Sequence, residues 1–234
     1  MRKLKIYTIL FIIFFIFGMH ANASIVINGT RVIYPENEKE VTVQIKNKGT
    51  DPVLLQNWLD TGNIDESPDN INIPFILTPP INRVNAEKSQ TLRIQYIGDT
   101  LPLDRESVFW LNVLEIPKTK VDLPENRLQI AFRSRIKLFY RPAQLKGNAI
   151  EAASSLQWSI KNKALVIQNT SEYHVSLISI SFSHLGKEKV IEADMISPFS
   201  SQEIPLEFDI SKGDVITYEY IDDWGATRKH SVNI

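Results

Sequence analysis

The chain has 234 residues, no cysteine, and a near-balanced charge of 26 basic against 27 acidic residues. No arginine-rich tail or basic run is present, which argues against a nucleic-acid partner. Without disulfides the fold must rest on apolar burial, and the length suits one large domain or two of ordinary size.

In chain order, Arg2, Lys3 and Lys5 form a basic start, and residues 6–18 are an almost unbroken apolar run. Ala21-Asn22-Ala23 follows with small residues at a cleavage position. This is the pattern of a secretory signal peptide over 1–23, too short for a comfortable membrane span. The mature chain is expected to start at Ser24 and, with no second long apolar stretch, to carry no membrane anchor.

The rest of the chain reads as strands. Val41, Val43 and Ile45 alternate with Thr42, Gln44 and Lys46, the period of a half-buried strand. Leu92, Ile94 and Tyr96 alternate with Arg93 and Gln95 in the same way. Residues 53–59, 107–114 and 128–140 are further candidates, rich in branched and aromatic side chains. Turn signals separate them: Pro35-Glu36-Asn37, Gly49-Thr50-Asp51-Pro52, Asp60-Thr61-Gly62-Asn63 and Thr78-Pro79-Pro80. No window offers a sustained amphipathic helix. A boundary is expected at Arg141-Pro142, followed by the weakly patterned stretch 143–155. New strands are expected over 156–160, 164–169, 175–182, 215–221 and 228–232. Short, regularly spaced strands indicate an all-β protein of two sandwiches, 24–142 and 143–234, with a cleft between them.

Five segments, in order, carry a resemblance. They are Thr30-Arg31-Val32-Ile33-Tyr34; Pro74-Phe75-Ile76-Leu77-Thr78-Pro79-Pro80-Ile81-Asn82-Arg83; the stretch from Leu101 to Pro117 with Arg105-Glu106-Ser107-Val108-Phe109-Trp110 at its centre; Leu128-Gln129-Ile130-Ala131-Phe132-Arg133-Ser134-Arg135-Ile136-Lys137-Leu138-Phe139-Tyr140-Arg141-Pro142; and Tyr220-Ile221-Asp222-Asp223-Trp224-Gly225-Ala226. Together they resemble the periplasmic chaperones of the chaperone–usher pilus pathway, the PapD-like family. The resemblance implies two immunoglobulin-like β-sandwich domains in a boomerang arrangement. It also implies a periplasmic, non-enzymatic protein without cofactor, whose partners are pilus (fimbrial) subunits and the outer-membrane usher. Such a chaperone lends each subunit a missing strand, a form of β-strand addition, and would be a monomer or a weak dimer that caps its own donor edge. The short stretch before the donor strand and the lack of cysteine resemble the short-loop subclass. Relatives carry a cis bond at Thr78-Pro79-Pro80, an isomer that sequence alone leaves open.

Residue by residue, Leu128, Ile130 and Phe132 match the groove-filling side chains of the donor strand. Their alternation is also that of any half-buried strand, so filling their own domain's core stays open at this point. Arg31 and Lys137 match the pair that anchors the subunit's C-terminal carboxylate. Arginine can grip a carboxylate through two parallel hydrogen bonds, and lysine adds a point charge. Lys137 is an odd number of positions beyond Phe132, which puts the two on opposite faces; a bulge, twist or change of partner is therefore expected near Ser134-Arg135. Glu106, Arg141 and Asp223 match an inter-domain charge cluster, with Asp223 chosen over the adjacent Asp222 and a plain surface pair as the alternative.

The residues offer no pattern for other chemistries. His20 would leave with the signal, and His174, His184 and His230 lack HxH or HExxH spacing, so no metal site is expected. GxSxG, P-loop and GxGxxG motifs are missing, which disfavours a sandwich-based enzyme. Asn28-Gly29-Thr30 and Asn169-Thr170-Ser171 are sequons that carry no meaning in a bacterial periplasm. A pilus subunit would carry a donor arm at its N-terminus, whereas here the first strand begins almost at the cleavage site.

Overall fold

The computed structural model describes residues 24–98, 101–116, 130–184, 187–206 and 214–234. The expected signal peptide, Leu128 and the stretch 117–127 lie outside them. The strands in chain order are β1 (Ile25–Ile27), β2 (Arg31–Pro35), β3 (Val41–Asn47), β4 (Val53–Asp60), β5 (Phe75–Thr78), β6 (Ile81–Val84), β7 (Ser89–Tyr96), β8 (Ser107–Ile116) and β9 (Arg133–Arg141). A short helix α1 (Ala149–Ser154) follows. Then come β10 (Gln157–Lys161), β11 (Ala164–Asn169), β12 (Val175–His184), β13 (Lys187–Glu192), β14 (Met195–Ile196), β15 (Ser200–Pro205), β16 (Val215–Ile221) and β17 (Thr227–Asn233).

The first nine strands form two facing sheets, ordered β1-β3-β7-β5 and β2-β9-β8-β4-β6. Alternation sends Val43, Ile45, Leu92 and Ile94 of one sheet against Leu55, Leu111, Leu138 and Tyr140 of the other, all buried in one apolar cluster. Tyr34 ties the layers, since its hydroxyl donates to the Lys39 carbonyl (3.1 Å) and accepts from the Tyr96 amide (3.0 Å). Every pairing in this half is antiparallel except β2 with β9, which run parallel from Arg31↔Lys137 to Pro35↔Arg141. The Thr78–Pro79 peptide is cis.

The second half repeats the plan with sheets β10-β11-β15 and β13-β12-β16-β17, β14 pairing β12. Its separate core holds Leu165, Ile167, Ile180, Phe182, Ile216 and Tyr218. The molecule is thus two β-sandwiches.

Two sequence expectations need correction. A helix lies inside the stretch read as weakly patterned. Asn148 caps it by accepting from the Glu151 amide (2.9 Å), and the Tyr218 hydroxyl donates to the Ala153 carbonyl at its end (2.6 Å). Six residues are too few for helical periodicity to register, although Asn148 and Glu151 have capping-box spacing. The long strand expected over 128–140 begins only at Arg133 among the described residues. The last link is the Glu115 amide donating to the Phe132 carbonyl (2.9 Å).

Candidate functional site

Strand β9 presents its two faces to different surroundings. Its even positions, Leu138 and Tyr140, fill the first core. Its odd positions face away from that core, and those nearest the second sandwich touch it. Phe139 lies 5.6 Å from the His174 ring, and Arg141 reaches Asp223.

Of the bulge, twist or change of partner expected near Ser134-Arg135, the register shows no bulge, whereas a change of partner occurs just beyond, where β2 starts to pair at Lys137. β8 and β9 pair without interruption from Ser107↔Tyr140 to Leu114↔Arg133. Ile130 and Phe132 share the parity of Leu138, but they lie past the end of the strand, where the sandwich no longer covers that face. They are 58% and 65% exposed, so neither fills its own domain's core. Lys137 uses the other face.

Arg31 and Lys137 stand side by side, because β2 joins β9 in parallel register at this pair. The Arg31 guanidinium sits over the Phe139 ring at 5.5 Å and donates from Nη1 to the Ile221 carbonyl of β16 at 2.9 Å. Its Nε is buried without an acceptor. Burial holds the Arg31 pKa below its usual value, partly offset by the charges of Asp223, Asp222 and Glu106. Burial likewise lowers Lys137; Asp194 works against that shift and Arg31 adds to it. Lys137 has no hydrogen-bond or ion-pair partner among the described residues. The result is two adjacent, partly desolvated cations with no carboxylate between them.

One turn of the ladder further on, the opposite holds. Arg141 donates from Nε to Glu106 Oε1 (2.8 Å), and from Nη1 and Nη2 to the two oxygens of Asp223 (2.8 and 3.1 Å). Burial disfavours the Arg141 charge, yet Asp223 and Glu106 push its pKa above the ordinary value. The other oxygen of Glu106 accepts from the His174 amide (2.8 Å) and faces its Nδ1 (3.3 Å). The three residues named from sequence are therefore assembled across the two sandwiches. Asp222 is buried and does something else: its Oδ1 accepts from the Trp224 and Ala226 amides and its Oδ2 from Arg228 Nε.

The N-terminal half, residues 24–146, matches the family described as pili and flagellar-assembly chaperone, PapD N-terminal domain. Residues 151–232 match the pili assembly chaperone PapD, C-terminal domain. The chain belongs to this chaperone family. It is 44% identical over 227 residues to the chaperone protein MrkB of Klebsiella pneumoniae, covering 95% of this chain and 96% of that one. It is 46% identical over 194 residues to the probable fimbrial chaperone YadV of Escherichia coli (strain K12), covering 80% of this chain and 79% of the relative. The crystal structure of the YadV chaperone superposes with a TM-score of 0.79 at 40% identity, over 91% of this chain and all of that one.

The chaperone's inter-domain contacts include residues that sequence reasoning missed. Tyr173 lies 5.2 Å under the Arg141 guanidinium, the Glu106 amide donates to the Glu172 carbonyl (2.9 Å), and Arg105 sits 5.0 Å from the ring of Phe199. These residues lie in loops with no periodicity, so only the tertiary fold reveals them. Among the described residues no group of three His, Asp or Glu side chains is placed to hold a metal ion.

Proposed function

We propose that the protein is a periplasmic chaperone that binds pilus subunits by donor-strand complementation and delivers them to the outer-membrane usher, without covalent chemistry. In this reading residues 1–23 are removed on export, 24–142 form the lending domain and 143–234 the second domain.

One observation carries the proposal: a carboxylate-free cation pair, Arg31 and Lys137, stands where an unpaired edge of β9 meets β2. β2 covers that edge only from Lys137 onward, so among the described residues the edge from Arg133 to Ile136 has no partner on that side. A subunit strand seated there with its terminal carboxylate at the cations must run parallel to β9, as β2 does. Its backbone gains ladder bonds. The exposed Ile130 and Phe132, with Leu128, enter the subunit's groove, where each large apolar side chain contributes about 1.5–3 kcal/mol on full burial. An uncovered subunit edge is an aggregation template, and the lent strand closes it.

The test is copurification of the tagged, exported protein with fimbrial subunits expressed beside it, comparing wild type with Arg31→Ala and Lys137→Ala. Wild type should retain one subunit per chaperone and begin at Ser24 by mass, and both variants should lose the subunit. Retention by the variants removes the anchor from the proposal. Failure of wild type to retain any subunit that is demonstrably exported removes the function.

A further inference from the structure

Trp224 is 76% exposed, the most exposed of the large apolar side chains among the described residues. Its backbone is not loose. The turn is closed by the Asp222 amide donating to the Ala226 carbonyl and the Gly225 amide to the Asp222 carbonyl, both 3.0 Å. Asp222 Oδ1 pins the Trp224 and Ala226 amides from inside. The turn is also seated on the first domain beside the cation pair. Ile221 accepts from Arg31 on one side. On the other, Gly225 (φ 80°) approaches Thr30 so closely that a Cβ there would lie 2.3 Å from Thr30 Oγ1. Trp224 thus projects from a rigid turn whose flanks touch Thr30 and Arg31. A solvent-exposed indole on a hydrogen-bonded turn next to a charged anchor has the makings of an interface hot spot, for which tryptophan is enriched.

We infer that Trp224 is a specificity-determining contact of the cleft, covering an apolar side chain within the last three residues of the bound subunit while Arg31 and Lys137 hold its terminal carboxylate. The inference rests on the subunit-binding reading above. Because Gly225 abuts Thr30 and Ile221 accepts from Arg31, the turn that carries Trp224 lies beside the anchor, and so beside the residues that precede a carboxylate held there. Apolar ends are favoured over acidic or glycine-rich ones.

The test uses protein labelled with 5-fluorotryptophan, the Trp224 resonance being assigned through Trp224→Phe, and the unlabelled subunit from the copurification refolded in its presence. On complex formation the Trp224 fluorine signal should shift and lose its solvent isotope effect. Trp224→Ala should speed subunit dissociation about 30-fold, the size of an interface hot spot. Trp224→Phe should retain most of the lifetime, and Val190→Ala, on a distant exposed strand, should change nothing. Serine in place of the subunit's apolar terminal residue should cost a similar factor and cancel the effect of Trp224→Ala. If an Arg31-dependent complex forms while the Trp224 signal stays solvent-exposed, or if Trp224→Ala leaves dissociation unchanged, the inference is wrong and the chaperone reading stands. If no complex forms, both fall.

Discussion

Strand β9 offers two cations in nearly equal positions with opposite fates. Lys137 and Arg141 share a face, both are partly buried, and both lie near the second sandwich. Arg141 is saturated by Glu106 and Asp223, and its pKa is raised. Lys137 and its neighbour Arg31 are held below their usual values, chiefly by burial. Arg135, two residues before Lys137, also has a carboxylate partner, Asp60, although its Nε is buried without an acceptor. The protein therefore completes the charge pairs that hold it together and leaves one pair incomplete. Buried charge without a partner is costly, and under the proposed function that cost is recovered when a subunit's terminal carboxylate reaches the pair.

The largest effect is expected at the saturated end. Arg141→Ala strands the Glu106 carboxylate, whose side chain is 1% exposed. Removing one partner of such a pair costs about 3–5 kcal/mol, to be read as a fall in the urea midpoint. Small-angle scattering of the variant should show a broader spread of inter-domain arrangements. An unchanged midpoint would mean the cluster is merely decorative. At the unsaturated end, Arg31→Ala should lower the free protein's midpoint much less than Arg141→Ala, losing the Ile221 hydrogen bond and the Phe139 contact but stranding no carboxylate, while weakening subunit binding by about 2–5 kcal/mol, or two to four decades. A stability loss as large as that of Arg141→Ala would erase the distinction between the two sites.

How far this contrast could be read from sequence depends on the kind of signal. Period-two alternation located β3 and β7, each with one face buried and the other wet, and runs of branched and aromatic residues located β4 and β8. Both signals missed β13 and β15, whose sequences Lys-Glu-Lys-Val-Ile-Glu and Ser-Ser-Gln-Glu-Ile-Pro lack an apolar face. The site residues Arg31, Lys137, Glu106, Arg141 and Asp223 came from family resemblance, since a cation in a strand carries no mark of its partner. The choice of Asp223 over Asp222 agrees with the geometry. Tyr173 and His174 were invisible because they meet Glu106 and Arg141 only through the packing of one sandwich on the other.

A smaller effect sharpens the comparison from the opposite direction. Lys137→Met should stabilise the free protein by about 0.5–2 kcal/mol, the range of functionally costly stabilising changes, while abolishing subunit retention. The pH dependence identifies the cause. The folded pKa of Lys137 lies below its unfolded value, so between the two the unfolded chain binds more protons and wild-type stability rises with pH. The Met variant should lack that alkaline rise.

The smallest expected effect lies in the turn that presents Asp223. Burial of Asp222 opposes its charge, but the Arg228 hydrogen bond and the turn amides hold its pKa below the usual value. Its contribution is therefore fully present above the unfolded value, near pH 4, and is lost as pH falls through the lower folded value. Asp222→Asn keeps an oxygen for the Trp224 and Ala226 amides and forfeits the ionic part of the Arg228 contact. Because Arg228 is 55% exposed, that loss should be about 0.2–1 kcal/mol at pH 7. In urea titrations the difference between wild type and variant should shrink toward zero as pH drops below the folded Asp222 value. A difference that persists undiminished in acid would show that the carboxylate acts on the turn by shape alone.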